Sequence, residues 1–440
     1  MKAMRRTVII LACVLSLGAG ALVPAGAAGP APVPTDIGIS DDEIRIAVIA
    51  DVENSFSPGL NQANVDAVEG FARTVNRNGG IAGRDLVVDF YDSKLSPDET
   101  RNALVTACER DFALVGTGAN FLTDPEPLIT CPDSAGRPTG IPDLTTFSLD
   151  PAYQCSPVTF QILPPDLDCS TIGDPEERYR VQVGTVQYFQ RRFGDLHGIY
   201  VLSGDLESVR DASLPLVGAW TEEGVQQDGE GAYFVSSVSP RSALTPYTLT
   251  LKDERSTFAY LGVPVELVAG FRQEAQVQGV DSVKAWVCAF ECYDPTFIEA
   301  GGPDVEGELI TGTTIPFEEA RQVPALARYL EEVGPENAEG FGVQAWLAGM
   351  LFRHVARGVV ARGGVNALTR SALLDGLRNV HDFKGRGILG TTDIGSKIPS
   401  DCYLVLEVEN GEFVRAAPKK PGTFDCKPSN RRTISLDLLE

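Results

Sequence analysis

The 440-residue chain is predicted to be an α/β protein of two doubly wound lobes, each built on a mainly parallel sheet. Three observations carry this. Short apolar, β-branched runs alternate with longer stretches whose apolar residues recur at helical spacing, the signature of strand–helix–strand units. Roughly ten such strands exceed one comfortable twisted sheet. A hydrophobic content of 43% at this length lets two or three domains each bury a core.

The elements follow in order. Residues 44–50 (IRIAVIA) are apolar on both faces, as a buried parallel strand requires. After a polar loop over 51–59, a helix over 63–78 aligns Val65, Val68, Phe71, Ala72 and Val75 on one stripe and stops at Asn78-Gly79-Gly80. A second strand covers 86–91 (LVVDFY), and Pro97-Asp98-Glu99 opens a helix to about residue 110. The third strand, 112–115, runs into Gly116-Thr117-Gly118-Ala119-Asn120, and a fourth covers 141–147. Residues 151–176 are irregular and rich in proline and cysteine. A second series then alternates helices over 176–193, 209–223, 244–253 and 265–278 with strands over 198–202, 233–238, 258–261, 283–290 and 309–315. Helices over 323–333, 341–361 and 368–380 precede a hairpin, 403–408 and 412–414, turned at Asn410-Gly411.

Lys2, Arg5 and Arg6 precede an apolar run over 7–23, and Ala25-Gly26-Ala27 has the small-residue form of a cleavage site. Residues 1–27 are therefore expected to be a signal peptide. Residues 28–42, rich in Ala, Gly and Pro, are expected to form a flexible leader. Two alternatives stay open: an uncleaved anchor helix, at the lower length limit for a span, and a lipid anchor at Cys13. Ile10-Leu11-Ala12-Cys13 looks like a lipobox but leaves only 7–12 as apolar segment. In each case the chain is exported, to an extracytoplasmic site, free or membrane-anchored.

Loss of Cys13 leaves eight cysteines, and an even number in an exported chain points to disulfides. Eight allow on the order of 100 connectivities. The expected one joins sequence neighbours: Cys108–Cys131, Cys155–Cys169, Cys288–Cys292 and Cys402–Cys426. A metal site is not expected, since no C-x-x-C pair occurs and the histidines, His197, His354 and His381, are scattered. Nor is a cofactor: no lysine follows the 116–120 glycines at phosphate-loop spacing. With 60 acids against 37 bases and a net charge of -23, the chain is no nucleic-acid binder.

The order of motifs resembles the type I periplasmic binding proteins, specifically the Leu/Ile/Val-binding group. The resemblance covers nearly all of the chain after the leader. It is most specific over 41–120, with the turn Asn76-Arg77-Asn78-Gly79-Gly80-Ile81-Ala82-Gly83-Arg84, a strand ending in Asp92, the helix from Asp98 and the short strand at Phe112. The closing YLVLEVENGEFV over 403–414 also resembles that group. The resemblance implies two lobes joined by three crossing segments, near 160–172, 303–315 and 385–400. Lobe one would hold 43–165 and 310–390, and lobe two 166–309 and 391–440. It further implies a substrate-binding protein of an ABC importer, a monomer that captures a small solute, an amino acid or a related molecule, and docks to membrane permease subunits.

Open α/β sheets bind ligands beyond the carboxyl ends of their strands. The first rim would then offer Ser55 and Phe56 from the 51–59 loop, Thr117, Gly118, Ala119 and Asn120, and Thr145 and Thr146. Small residues let a backbone approach closely. The alternative is that Gly116 and Gly118 only make a tight turn. The second rim would offer Asp205 and Glu207, Tyr260, and Glu291 with Tyr293 around the Cys288–Cys292 loop. A carboxylate there suits a ligand ammonium and an aromatic ring covers a side chain; the alternative is solvated loop acids. Amino-acid binders of the group usually carry a Tyr-Gly pair where this chain has Ser203-Gly204-Asp205-Leu206-Glu207-Ser208, so a branched-chain amino acid and another small solute both stay open. No catalytic residue is expected. No G-x-S-x-G elbow occurs, and none of the histidines falls at a proposed rim. A diffusible sensor for a separate receptor, and after it a secreted hydrolase, are the competing functions.

Overall fold

The computed structural model describes residues 30–436 apart from 56 and 206. The signal peptide expected over 1–27, Cys13 with it, lies outside the described residues.

Two sheets organise the chain. Strands β1 (Glu43–Ala50), β2 (Asp85–Asp92), β3 (Ala113–Val115) and β4 (Asp143–Leu144) form the first, all parallel, in the order β2-β1-β3-β4. After β5 (Glu177–Gln182) come β6 (His197–Ser203), β7 (Gln226–Val235), β8 (Phe258–Gly262), β9 (Ala285–Cys288), β10 (Glu308–Gly312), β11 (Cys402–Glu409) and β12 (Glu412–Ala417). These form the second sheet in the order β12-β11-β10-β9-β8-β6-β7. It is parallel from β7 to β10 and antiparallel through β11 and β12. Two short strands close the chain: β13 (Asp425–Cys426) pairs with β11, and β14 (Arg431–Leu436) pairs with β5.

Burial explains the parallel core. Ile44, Ile46, Ala47, Val48, Ile49 and Ala50 of β1 are all solvent-free, because helices cover both faces of a parallel sheet. The helix Gln62–Arg77 buries Val65, Val68, Phe71 and Val75 and packs along the long helix Gly340–Gly363. There Phe71 meets Trp346 edge to face at 5.3 Å, a pairing worth about 0.5–1.5 kcal/mol beyond its buried area.

Several elements depart from the sequence reading; the strand expected over 233–238, for one, is β7, which already begins at Gln226. The helix expected over 176–193 begins only at Gly184; residues 177–182 form β5, antiparallel to β14. Tyr179 and Val181 point inward while Arg178 and Arg180 do not, a period of two that a partner about 250 residues away in the chain turns into a strand. The fourth strand of the first sheet shrinks to Asp143–Leu144. The leader is not free from Val33 onward. Val33 donates to the Asn366 side chain, Arg84 donates to the Val33 carbonyl, Thr35 donates to the Leu368 carbonyl, and Asp36 accepts the backbone N–H groups of Ser134 and Arg370.

Three segments pass between the sheets. The first follows Ile162, whose N–H still donates to the carbonyl of Thr145 just past β4, and ends where Leu167 bridges Tyr179 of β5. The second leaves β10, and the third returns to β11; they pair with each other through Thr314 and Leu389. Since β10 pairs with both β9 and β11, residues 310–312 lie in the second sheet. The eight described cysteines form Cys108–Cys131, Cys155–Cys169, Cys288–Cys292 and Cys402–Cys426. Among the described residues no helix is long and apolar enough to cross a membrane.

Candidate functional site

The first rim is built on internal hydrogen bonds. Asp51, the residue after β1, is fully buried and accepts from the Ser93 hydroxyl, the Leu95 N–H, and both the N–H and the side-chain amide of Asn120. The hydroxyls of Thr145 and Thr146 both donate to the Thr117 carbonyl, at 2.9 and 2.8 Å. Thr117, Gly118, Ala119, Thr145 and Thr146 are all buried. The Thr117 hydroxyl itself has no partner among the described residues. Gly116 has φ of +75°, and a Cβ there would stand 2.6 Å from Val68; one on Gly118 would stand 2.4 Å from the Asn64 amide. Both glycines therefore answer first to the helix Gln62–Arg77 packed beneath them. Ser55 sits exposed in the loop after β1, and Phe56 lies outside the described residues.

The second rim gathers acids. Asp205 and Glu207 are exposed just beyond β6, where Asp205 accepts the Ser237 N–H. Tyr260, near the end of β8, is 7% exposed, with its ring stacked among Tyr200 and Trp220. Burial raises its phenol well above the ordinary range, and the charges of Glu291, Tyr200 and Asp166 add to the rise. Glu291, on the turn after β9, is exposed; neighbouring protein partly desolvates its carboxyl and raises it, opposed by a hydrogen bond from its own backbone. Asp166, half-buried on the first crossing segment, is also pushed to about 7 by burial, with Arg431 pulling the other way. The ring of Tyr293 packs on Phe290, Phe317 and Phe413, and its hydroxyl is taken by Glu318 and the Phe317 N–H, each at 2.6 Å.

The two rims meet. One cavity of about 320 Å³ is lined by Asn120, Phe121, Thr123, Asp150 and Pro151 beyond β3 and β4, and by Glu207 and Asp211 beyond β6. On another side Phe290, just after β9, stands about 3 Å from where a Cβ on Gly340 would be, at the start of the long helix Gly340–Gly363. The carboxyl ends of two parallel sheets thus border one cleft, spanned by three chain crossings.

A family model described as periplasmic binding protein matches residues 43–412. The chain belongs to the periplasmic binding protein family. Its fold, two mainly parallel sheets with a shared cleft, is that of the type I members. Solved structures similar to this periplasmic binding protein include a putative branched-chain amino acid ABC transporter protein from Rhodospirillum rubrum, 16% identical over 85% of this chain and 99% of that one, with a TM-score of 0.60. A leucine-binding protein from Thermotoga maritima is 17% identical over 85% and 98%, with a TM-score of 0.62. A fatty acid ABC transporter substrate-binding protein from Thermomonospora curvata is 15% identical over 89% and 98%, with a TM-score of 0.65. At these identities the likeness is one of fold. No curated protein matches the chain.

The sequence reading of this periplasmic binding protein did not single out Phe121, Asp150 and Asp211, which line the cavity. Phe121 directly follows the Asn120 already singled out, and extending that turn by one residue would have included it.

Two serine–histidine–aspartate groupings bear on the hydrolase alternative. Asp393 and Ser396 both meet His381 at the same ring nitrogen, Nδ1, at 2.8 and 3.2 Å. Near His197, Ser256 bonds to Asp228 and not to the ring. A relay needs the serine and the acid on opposite nitrogens.

Proposed function

We propose that this periplasmic binding protein is the extracytoplasmic solute-binding component of an ABC importer. It captures a small polar solute, an amino acid or a related molecule, in the cleft between two lobes, and the lobes close over it by bending at the crossing segments. The first lobe comprises the β1–β4 sheet with the helices of 324–378, and the second comprises the β6–β12 sheet with the β5–β14 pair. The loaded protein then docks to membrane permease subunits, which supply the energy.

The observation that carries this reading is the 320 Å³ cavity lined from both sheet edges at once. A site shared by two bodies on bendable connections favours their closed arrangement whenever it is filled. The three crossings, each a single segment of chain, suit such bending. Neither histidine grouping has a relay geometry, so the hydrolase alternative draws no support from them. Thermal unfolding in the presence of amino acids, amines and fatty acids tests the proposal. A true ligand at 100 times its dissociation constant adds about 2.7 kcal/mol of stability, and scattering should report a more compact particle. Unchanged unfolding across the whole panel, with turnover of some substrate, would replace this reading by an enzymatic one.

A further inference from the structure

We propose that the outer surface of the first lobe carrying Arg328, Arg353, Arg357 and Arg386 is a docking face for an anionic phospholipid bilayer. This goes beyond the solute-binding reading and does not rest on the cleft. Residues 340–374 contain no aspartate or glutamate, in a chain that has 60 of them in 440 residues. Most of this stretch is the long helix Gly340–Gly363, where Arg353 and Arg357 stand one turn apart on one face. The helix Pro324–Val333 carries Arg328, and the turn Gly385–Gly387 carries Arg386. Both pack on the long helix and on each other. The turn lies close: a Cβ on Gly385 would collide with Leu347 of the long helix, and one on Gly387 would meet Val323, just before the shorter helix, at 3.8 Å.

The four guanidinium groups lack a counter-charge. Arg328, Arg357 and Arg386 are exposed, Arg353 is half-buried, and none of them makes a hydrogen bond or ion pair among the described residues. The Arg353 Nε is buried without a partner. Of the acids on the shorter helix, Glu332 pairs with Arg77, and Glu331 forms no ion pair with Arg328. Burial lowers the Arg353 guanidinium below its ordinary value, and the charges of Arg357, Arg386 and Arg328 lower it further.

A guanidinium fork matches the oxygens of a phosphate, and a bilayer presents many phosphates at once. The net charge of -23 opposes approach to an anionic surface as a whole. At physiological ionic strength, however, charges beyond about 8 Å are largely screened, so the patch decides the sign that a lipid headgroup meets. The leader joins the fold at the same helix. Val33 donates to the Asn366 side chain at 2.9 Å, just past the helix end, and Arg357 lies about 9 Å along the axis from that end. A tether through the first residues, expected over 7–23 or at Cys13, would therefore bring this face to a bilayer. The cleft end of the helix, Gly340, is about 20 Å along the axis from Arg353, which leaves the cleft clear.

Co-sedimentation of the purified full-length protein with vesicles provides the test. Vesicles of equal parts phosphatidylglycerol and phosphatidylcholine should take up the protein at least about tenfold better than phosphatidylcholine alone, and salt at about 0.5 M should remove the excess. The double variant Arg353→Gln/Arg357→Gln should lose most of that excess. Arg328→Gln/Arg386→Gln, altered only at exposed positions, should lose it too, which guards against a half-buried Arg353 that folding needs. Far-UV circular dichroism should be preserved in both. Equal uptake by the two kinds of vesicle overturns the inference, and so does an excess that survives both double variants. Salt-sensitive self-association that the same variants abolish, with no preference for phosphatidylglycerol, overturns it in favour of a second copy of this acidic chain. Stabilisation by a cleft solute should be the same in all these proteins, so failure here leaves the solute-binding reading standing.

Discussion

Asp51 accepts two hydrogen bonds from Asn120, 2.8 Å from its backbone N–H and 3.0 Å from its side-chain amide, and so ties the end of β1 to the turn after β3. The other Asp51 oxygen holds Ser93 and Leu95 beyond β2. One buried carboxylate therefore sets the relative positions of three strand ends, and with them the first rim of the cleft. Asp51→Asn keeps the shape but replaces one acceptor oxygen by a donor, facing N–H groups. It should cost about 2–4 kcal/mol in urea unfolding and weaken any cleft ligand through the displaced Asn120 turn.

The Cys155–Cys169 bridge spans the first crossing. Cys155 follows the short helix Pro151–Gln154 near the first sheet, and Cys169 lies just past the residues that pair with β5. It closes a loop of 14 residues, for which chain entropy gives about 3 kcal/mol. The double variant Cys155→Ala/Cys169→Ala should lose roughly that stability and open more widely, seen as a larger radius of gyration without ligand.

Next to that crossing lies a buried pair that makes stability depend on pH. The Lys397 ammonium donates to the carbonyls of Gln154, Ser156 and Thr159, while Asp143 accepts the Tyr153 hydroxyl. Burial raises the Asp143 carboxyl to about 7, opposed by Tyr153 and Lys397, and burial lowers Lys397 to about 8, opposed by Asp143. An unfolded aspartate releases its proton near pH 3.9, so between about 3.9 and 7 the folded chain holds the extra proton. The Asp143 contribution is thus complete below about pH 4 and is lost as pH rises to about 7. Lys397 runs the other way: its contribution is complete above about 10.4 and is lost as pH falls through about 8. The unfolding free energy of Asp143→Asn, from urea titration, should fall less between pH 5 and 7 than that of the unaltered chain, by an amount on the order of 1–3 kcal/mol. An equal slope in the two proteins would remove Asp143 from this role.

Tyr293 separates packing from binding. Its hydroxyl bridges Glu318 and the Phe317 N–H, and its ring is buried among Phe290, Phe317 and Phe413. Tyr293→Phe should cost about 1–2 kcal/mol in denaturant unfolding yet leave cleft affinity within about twofold. A large loss of affinity at unchanged stability would instead return Tyr293 to the ligand.

The class of fold was legible in the residues alone. The solvent-free run of β1 could only lie inside a parallel sheet covered on both faces, and the alternation of such runs with striped helices repeated often enough to demand two sheets. Cysteine parity pointed to bridges, and each described bridge joins sequence neighbours. Partners were another matter. Nothing local pairs residues 177–182 with 431–436, turns the Thr145 and Thr146 hydroxyls back onto Thr117, or commits Tyr293 to Glu318. Periodicity records which side of an element is buried, because water acts on each residue where it stands. A hydrogen bond depends on what the folded chain brings to the other side, which no local stretch of residues records.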